Sequence, residues 1–356
     1  MSFRNTLGVL KYNVIRGITR AVLTQSVGFR TRRLIIFLTP GFDHPNGGVM
    51  SIASISRESF ALQTLHGAKV AMCTVPSDPP LLRYTWFKND HYLLDFEALL
   101  RRCPNLDYLL IHIPEYAVNR VVDWLDSNRP KLKHVKEIHL NVMVQHIDLV
   151  KDQDLNQLTR FGKVTCTTAH EAYTNAATRE ELRVPLHRLS VCFGPERYTH
   201  SSYTDKQNVL MVSHDEHPLK TEVLTEVQNA LPRLKIQVIQ NLSFEAYLAV
   251  ARTAKWSLTF GEGLDSYFCD PVFNGGVSFA VFNERFFTPP FAQLETIYPS
   301  WEVLLQKITS DLRRLDEPAD YEKCSRQIRG LLDGLYNVDH FRENLRAFYR
   351  GEYTFP

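Results

Sequence analysis

Short apolar runs rich in β-branched and aromatic residues alternate with helical patterns along most of the chain. The first part holds six such runs: LIIFLT (34–39), KVAMCT (69–74), DYLLIHI (107–113), VKEIHLNVMV (135–144), KVTCT (163–167) and HRLSVCF (187–193). Four more follow: NVLMVS (208–213), LKIQVIQ (234–240), KWSLTF (255–260) and VSFAVF (277–282). Strands that alternate with helices are typical of parallel sheets covered on both faces. The pattern therefore predicts an α/β protein.

A polar segment divides this alternation into two parts. GPERYTHSSYTDKQ (194–207) has no apolar run and reads as a linker. We therefore expect an N-terminal domain over residues 1–195 and a second domain over 205–337, both Rossmann-like and facing a cleft. The last segment, about 338–356, is helical and aromatic, and we expect it to pack back on the N-terminal domain. A length of 356 residues agrees with two domains.

Composition and charge indicate a globular protein. The chain is 44% hydrophobic and 22% charged, and its net charge of +2 is far below the basic excess of a dedicated nucleic-acid binder, so no nucleic-acid partner is expected. No run approaches the roughly 20 apolar residues of a membrane span, and a cytoplasmic protein is the expectation. The six cysteines show no zinc or disulfide spacing and are predicted to be reduced. They are Cys73, Cys103, Cys166, Cys192, Cys269 and Cys324.

The N-terminal segment is basic and has a helical apolar pattern. The first 42 residues contain no Asp or Glu, and residues 1–33 carry seven Lys or Arg side chains. Apolar residues recur there at steps of three and four: Phe3, Leu7, Leu10, Val14, Ile18 and Ala21. Such a helix either lies on an anionic membrane surface or packs on its own domain. The sequence leaves both possibilities open.

Parallel sheets bind ligands at the carboxyl ends of their strands, where loops expose backbone N–H groups and helices begin. No loop here carries the glycine fingerprint of a dinucleotide site or a P-loop. Gly47 and Gly48 follow the first strand, and they either admit a ligand to the backbone or form an ordinary turn. Lys220 lies in a first helical turn, where a cation is unfavourable unless an anion binds. His214 is a second candidate nearby, although loop histidines are often only solvated.

The segment FGEGLDSYFCDPVFNGGVSFAVF (260–282) places Glu262 and Asp270 eight positions apart, after a predicted buried strand. Gly261 and Gly263 flank Glu262 and free the backbone to turn three N–H groups toward a phosphate. These N–H groups belong to Leu264, Asp265 and Ser266. The two carboxylates could then reach different parts of one elongated ligand.

This segment resembles the Glu-x7-Glu motif of the GT-B glycosyltransferases, specifically the large retaining group that builds bacterial surface polysaccharides from nucleotide-diphosphate sugars. Asp270 stands where the second Glu is usual. NGGV (46–49) resembles the glycine loop after that family's first strand. Lys220 matches the Lys of a basic pair, but the Arg partner is missing, with Ser213 or His214 in its place. The three motifs follow the family's order across most of the chain.

The resemblance implies roles for these residues. Glu262 would contact hydroxyls of the transferred sugar, Asp270 the ribose, and Lys220 with the backbone of 263–266 the diphosphate. The family also places a histidine near the reacting carbon. His146, in LNVMVQHIDLV (140–150), is the best match, with a structural core or loop histidine as the alternative.

The resemblance also implies partners. They are a nucleotide-sugar donor and a saccharide or lipid-linked saccharide acceptor, with retention at the anomeric carbon, no metal and no other cofactor. Action at the inner membrane face would give the basic segment 1–33 a role as a membrane contact. Two other functions stay open, a sugar-nucleotide epimerase and a non-catalytic nucleotide-sugar-binding subunit. Asp270 and the missing Arg would suit a protein that holds the sugar nucleotide without transferring the sugar.

Overall fold

A computed structural model describes residues 14, 18, 28, 30–44, 47–79, 81–87, 89, 91–151, 153–194 and 197–356. They divide into two compact units. Unit 1 takes the described residues up to Ala169, Thr174–Leu189 and Arg342–Pro356, and unit 2 takes His170–Tyr173 and Ser190–Phe341.

Unit 1 is built on one parallel sheet. Its strands are β1 (Arg33–Thr39), β2 (Lys69–Thr74), β3 (Leu93–Leu94), β4 (Tyr108–Pro114), β5 (Glu137–Val144), β6 (Lys163–Thr168) and β7 (Leu186–Arg188). They lie in the order β3-β2-β1-β4-β5-β6-β7. The connecting helices are α1 (Gly47–Ala61), α2 (Gln63–His66), α3 (Phe96–Arg102), α4 (Val118–Leu132), α5 (Ile147–Lys151) and α6 (Ala176–Leu182). Residues 34–38 of the inner strand β1 are fully buried, as expected for a strand with helices on both faces.

Unit 2 is built on a second parallel sheet. Its strands are β8 (Gln207–Val212), β9 (Lys235–Val238), β10 (Ala254–Leu258), β11 (Val277–Val281) and β12 (Ile297–Tyr298). They lie in the order β12-β11-β10-β8-β9. The helices are α7 (Lys220–Ala230), α8 (Phe244–Thr253), α9 (Ser266–Phe273), α10 (Trp301–Leu315) and α11 (Pro318–Leu335), followed by α12 (Val338–Arg350), which runs from unit 2 into unit 1.

The predicted α/β architecture is confirmed, with every predicted strand present. The last strand of the first group differs in length, because β7 ends at Arg188 instead of Phe193. Ser190 has a left-handed φ of 60°, which interrupts the extended conformation that a strand needs. The two-residue strands β3 and β12 were not predicted, since so short a run has no readable period.

The C-terminal segment packs on unit 1, as predicted. Phe348 of α12 is 2% exposed, and the Tyr349 hydroxyl lies 2.5 Å from Ser59 Oγ of α1. Beyond the helix, Phe355 exchanges two backbone hydrogen bonds with Leu186 of β7. The amphipathic pattern of this segment therefore reflects burial against the first sheet.

The predicted basic helix of residues 1–33 lies almost entirely outside the described residues. Val14 and Ile18 are described as helical, with exposed fractions of 55% and 61%. In the part of the chain that the structure describes, no helix has the length and hydropathy to span a bilayer.

Three buried histidines surround Phe348. The rings of His112 (β4), His139 (β5) and His187 (β7) lie 5.5, 5.7 and 5.9 Å from its ring. Burial lowers the pKa of all three, that of His139 to about 3. The C-terminal helix therefore packs on neutral imidazoles.

Unit 1 is expected to lose stability as pH falls below about 6.5, the ordinary histidine pKa. There the unfolded chain binds protons that the buried, neutral histidines do not, at a cost of about 1.4 kcal/mol per pH unit for each histidine until its folded pKa is reached. His139→Gln should flatten the slope of unfolding free energy against pH, measured by urea unfolding. His134 is exposed, so His134→Gln should keep the wild-type slope. Equal slopes for wild type and His139→Gln would contradict this explanation.

Candidate functional site

Two loops of unit 2 meet at the carboxyl ends of the paired strands β8 and β10. The first is the β8–α7 loop (213–219) and the second is the β10–α9 loop (259–265). The Phe260 N–H donates to Ser213 Oγ over 2.8 Å, and the Ser213 N–H donates to the Leu258 carbonyl over 3.0 Å. A Cβ atom at Gly261 would come within 2.8 Å of Asp215 Oδ2. The loops therefore form one continuous surface.

Gly263 turns the β10–α9 loop into the helix. Its φ is +93°, and a Cβ atom there would collide with the buried ring of Phe287. Only glycine combines this backbone conformation with so close an approach. The predicted use of glycine at this position therefore has a structural basis.

A run of four backbone N–H groups leads into helix α9. Within the described part of the chain, the N–H groups of Gly263, Leu264, Asp265 and Ser266 have no hydrogen-bond acceptor. The Asp265 side chain caps the helix by accepting from the Phe268 N–H over 3.0 Å, and it also accepts from Thr259 Oγ1 over 2.6 Å. Consecutive N–H groups at a helix N-terminus attract anions such as phosphate.

Asp265 is an unusual carboxyl group for this position. Burial raises its pKa to about 6, an effect that the nearby Asp215 charge increases and the hydrogen bond from Thr259 opposes. Asp215 itself escaped the sequence analysis, because only the fold brings it beside Gly261.

Lys220 supplies a positive charge at the base of the same surface. Its Nζ donates to the Ser213 carbonyl over 3.0 Å and to the Asp215 carbonyl over 2.8 Å, and it lies 5.7 Å from the Phe260 ring. The ammonium group is thus fixed among residues of the two loops. The side chain stays half-buried, with one further N–H available for an anion.

His214 connects the β8–α7 loop to helix α9. Its Nδ1 lies 2.8 Å from the Tyr267 hydroxyl, and the imidazole is otherwise exposed. Burial raises the pKa of Tyr267 to about 12, so this phenol stays protonated at neutral pH. Tyr267 was not among the predicted site residues.

The two carboxylates of the predicted motif lie in different environments. Glu262 is half-buried in the β10–α9 loop, whereas Asp270 is 4% exposed inside α9. Asp270 Oδ1 lies 2.6 Å from the Tyr198 hydroxyl, and Oδ2 lies 2.7 Å from the Tyr247 hydroxyl. Glu262 is therefore partly accessible at the loop, whereas both carboxyl oxygens of Asp270 are enclosed with tyrosine partners.

In unit 1, the remaining candidates lie in loops after β1 and β5. Gly47 and Gly48 begin α1, and the Gly48 carbonyl accepts from Gln145 Nε2 over 3.0 Å. His146 follows β5, as predicted, and its Nδ1 lies 4.0 Å from Asp148 Oδ2. The structure therefore brings the glycine loop and the histidine loop together at one edge of this sheet.

The sequence analysis missed Glu115, which directly follows β4. It is 3% exposed and accepts from the His146 N–H over 3.1 Å. Burial raises its pKa to about 7 against the effect of the backbone hydrogen bonds it accepts. A carboxylate directly after an apolar strand was the available signal. Across the described residues of both units, no group of three or more His, Cys, Asp or Glu side chains is arranged to hold a metal ion.

The comparisons with known proteins concern the fold. No protein-family model and no curated protein sequence matches the chain. An alpha-glucosyltransferase in complex with UDP and a 13-mer DNA superposes with a TM-score of 0.57 at 10% identity, covering 89% of this chain and 99% of that one. Sucrose-phosphate synthase from Thermosynechococcus elongatus gives 0.56 at 13% identity, covering 90% and 99%. HepE from Anabaena in complex with UDP-glucose gives 0.53 at 11% identity, covering 89% and 99%.

The chain has the GT-B fold. This confirms the predicted fold class. One of the similar GT-B structures contains DNA, so the fold does not by itself exclude a nucleic-acid ligand. The expectation of no nucleic-acid partner for this GT-B chain rests on its net charge alone.

Proposed function

We propose that this protein is a glycosyltransferase that moves a hexosyl or deoxyhexosyl group from a nucleotide-diphosphate donor to a saccharide or lipid-linked saccharide acceptor in surface polysaccharide synthesis. The observation that carries the proposal is the run of N–H groups at 263–266 beside the Lys220 loop, in a GT-B fold. The similar solved structures include proteins in complex with UDP and UDP-glucose. Backbone N–H groups and an ammonium group are the donors that a diphosphate binds.

The proposed chemistry follows from where charge develops. Cleavage of the sugar–phosphate bond increases the negative charge on the departing diphosphate. Fixed N–H donors and the Lys220 ammonium stabilise that charge more in the transition state than in the ground state. Glu262 would hold hydroxyls of the transferred sugar, with His146 near the reacting carbon. Retention of configuration and independence of metal ions are parts of the proposal that follow from the resemblance.

A panel of nucleotide sugars tests the reaction. Release of nucleotide diphosphate, increased by an added saccharide acceptor, supports a glycosyltransferase. Interconversion of the sugar without release supports an epimerase. Calorimetric binding with neither product supports a non-catalytic binding subunit, and the absence of binding across the panel contradicts all three.

Lys220→Ala is expected to weaken UDP binding by about 1–3 kcal/mol, the loss typical of a charge-assisted hydrogen bond. Lys220→Gln keeps a hydrogen-bond donor for the loop carbonyls but removes the positive charge. It therefore distinguishes the effect of the charge on UDP from the effect of the side chain on the loop. Lys235→Ala, at the exposed start of β9, is the matched control. Isothermal titration calorimetry measures the UDP affinity of all three variants. Wild-type UDP affinity in Lys220→Gln would show that the charge of Lys220 does not contribute to UDP binding.

The basic segment 1–33 is proposed to hold the enzyme at an anionic membrane surface near a lipid-linked acceptor. Each Lys or Arg near such a surface contributes about 1 kcal/mol, and salt screens the attraction. The full chain should sediment with anionic liposomes at low ionic strength and be released at high salt. A folded chain starting at Leu34 should stay in the supernatant. Failure of the full chain to sediment at low salt would instead favour packing of this segment on its own domain.

A further inference from the structure

A chain of hydroxyl and carboxyl groups connects α8, α9 and the segment before β8. The Tyr198 hydroxyl lies 2.6 Å from Asp270 Oδ1. The Tyr247 hydroxyl lies 2.7 Å from Asp270 Oδ2 and 2.8 Å from the Ser266 carbonyl oxygen. Ser266 opens α9, so the chain ends in the first turn of the helix that begins the candidate phosphate site.

The number of protons in this chain depends on the charge of Asp270. An ionised carboxylate and a carbonyl oxygen only accept, and each phenol has one proton. With Asp270 ionised, only the two phenol protons are available for three short contacts. Tyr247 can then donate well to only one of its two acceptors, Asp270 Oδ2 or the Ser266 carbonyl oxygen. With a proton on Oδ2, Asp270 donates to Tyr247, Tyr247 donates to Ser266 and Tyr198 donates to Oδ1. All three contacts are then hydrogen bonds.

A similar arrangement elsewhere in unit 2 shows the contrast. The Tyr203 hydroxyl also lies near a backbone carbonyl and a carboxylate, 2.7 Å from the Asp316 carbonyl and 3.1 Å from Asp316 Oδ1. There, Lys255 Nζ lies 2.8 Å from the same carboxylate oxygen and forms an ion pair with it. Among the described residues, no cation or backbone N–H contacts the Asp270 carboxyl group in this way.

We propose that Asp270 is a protonated carboxylic acid in the folded protein and that, through Tyr247, it fixes the first turn of α9. This positioning role differs from the ribose contact that the family resemblance implies. The groups that interact with Asp270 are Arg197 and Tyr198 before β8, Tyr247 on α8 and the adjacent Cys269. The Asp265 carboxyl group interacts with Tyr247 and Cys269 in turn. Burial raises the pKa of Asp270 and outweighs the opposing tyrosine hydrogen bonds and the Arg197 charge.

The protonated state has a consequence for the proposed function. A neutral Asp270 adds no negative charge to α9, the helix that begins at the N–H groups of 263–266, whereas an ionised carboxylate in this helix would repel a diphosphate at its start. This consequence rests on the glycosyltransferase proposal, whereas the protonation of Asp270 does not. If the wild-type protein binds no nucleotide sugar, the glycosyltransferase proposal fails, but the pH dependence of stability still tests the protonation of Asp270.

Asp270→Asn tests the proton. The amide nitrogen replaces the carboxyl O–H as donor to Tyr247, and the amide oxygen still accepts from Tyr198. Relative to the variant, wild-type protein should lose stability as pH rises above 3.8, the ordinary aspartate value, because only its unfolded state releases the proton there. The ratio of the folding equilibrium constants should change about tenfold per pH unit until the folded pKa is reached. A constant ratio, or one that changes in the opposite direction, would overturn the proposal.

Asp316→Asn is the matched control, because it removes a carboxylate that is ion-paired. Its stability relative to wild type should not increase as pH rises above 3.8, in contrast to that of Asp270→Asn.

Hydrogen exchange tests the positioning role without any ligand. Tyr247→Phe should speed exchange of the Phe268 and Cys269 amides, while Tyr203→Phe should not. Should Asp270→Asn not fold, Tyr247→Phe still decides the positioning role. Wild-type exchange rates at both amides in Tyr247→Phe would contradict the positioning role.

Discussion

Replacing Glu262 with glutamine is expected to lower turnover of a nucleotide-sugar donor by about a hundredfold or more, while donor affinity falls far less. The resemblance places Glu262 at the hydroxyls of the transferred sugar, and the structure holds it half-buried in the β10–α9 loop. A carboxylate accepts those hydrogen bonds more strongly than an amide does as positive charge develops on the sugar, so the loss falls mainly on the transition state.

Initial rates with saturating donor, together with calorimetry of UDP binding, separate the two effects. Glu226→Gln makes the same chemical change at an exposed position of α7 and should keep wild-type kinetics. Unchanged turnover together with unchanged affinity in Glu262→Gln would show that Glu262 is not part of the site. Unchanged turnover with a large loss of affinity would instead place it in ground-state binding.

Gly263→Ala is expected to destabilise unit 2 by about 1–3 kcal/mol and to abolish measurable UDP binding. The φ of +93° is unfavourable for alanine, and the added methyl group would enter the Phe287 ring. Relief of that clash must move the loop that carries the N–H groups at 263–266. A local backbone change here therefore removes the proposed phosphate site.

Gly330→Ala gives the matched control for this prediction. Gly330 lies inside α11, and a Cβ atom there meets nothing within 4 Å apart from its chain neighbours and the nearby backbone of its own helix. Alanine should stabilise the helix by about 0.5–1 kcal/mol, since glycine is the poorer helix former. Thermal unfolding and UDP calorimetry on both variants provide the measurement. A Gly263→Ala protein with wild-type melting temperature and UDP affinity would show that the loop tolerates the change.

Most strands could be predicted from the sequence, because a parallel strand buried on both faces consists of a continuous apolar run. LIIFLT and KWSLTF are examples, and both form inner strands with fully buried residues. The glycine turn at 261–263 could be predicted from the sequence, since the conformational freedom of glycine is a local feature. The capping role of Asp265 was not predicted. The end of β7 was not readable, because it depends on the left-handed backbone at Ser190.

The partners of the candidate residues could not be predicted in the same way. The sequence places Asp270 near Glu262, but it gives no sign that Tyr198 and Tyr247 would bind both carboxyl oxygens. Glu115 and Asp215 likewise gain their environments from loops that are distant in the chain. Such contacts depend on the packing of several elements at once, and no periodic pattern records them.

The sequence by itself determined the alternation of strands and helices, the two-part organisation and the loops in which chemistry was to be sought. These depend on local periodicity and on the conformational freedom of glycine, which each segment carries within itself. Tertiary structure decided which of those side chains face solvent and which are enclosed. It left Glu262 half-buried at the loop and enclosed Asp270 between two tyrosines, because burial and hydrogen-bond partners are set only when α8, α9 and the segment before β8 pack together.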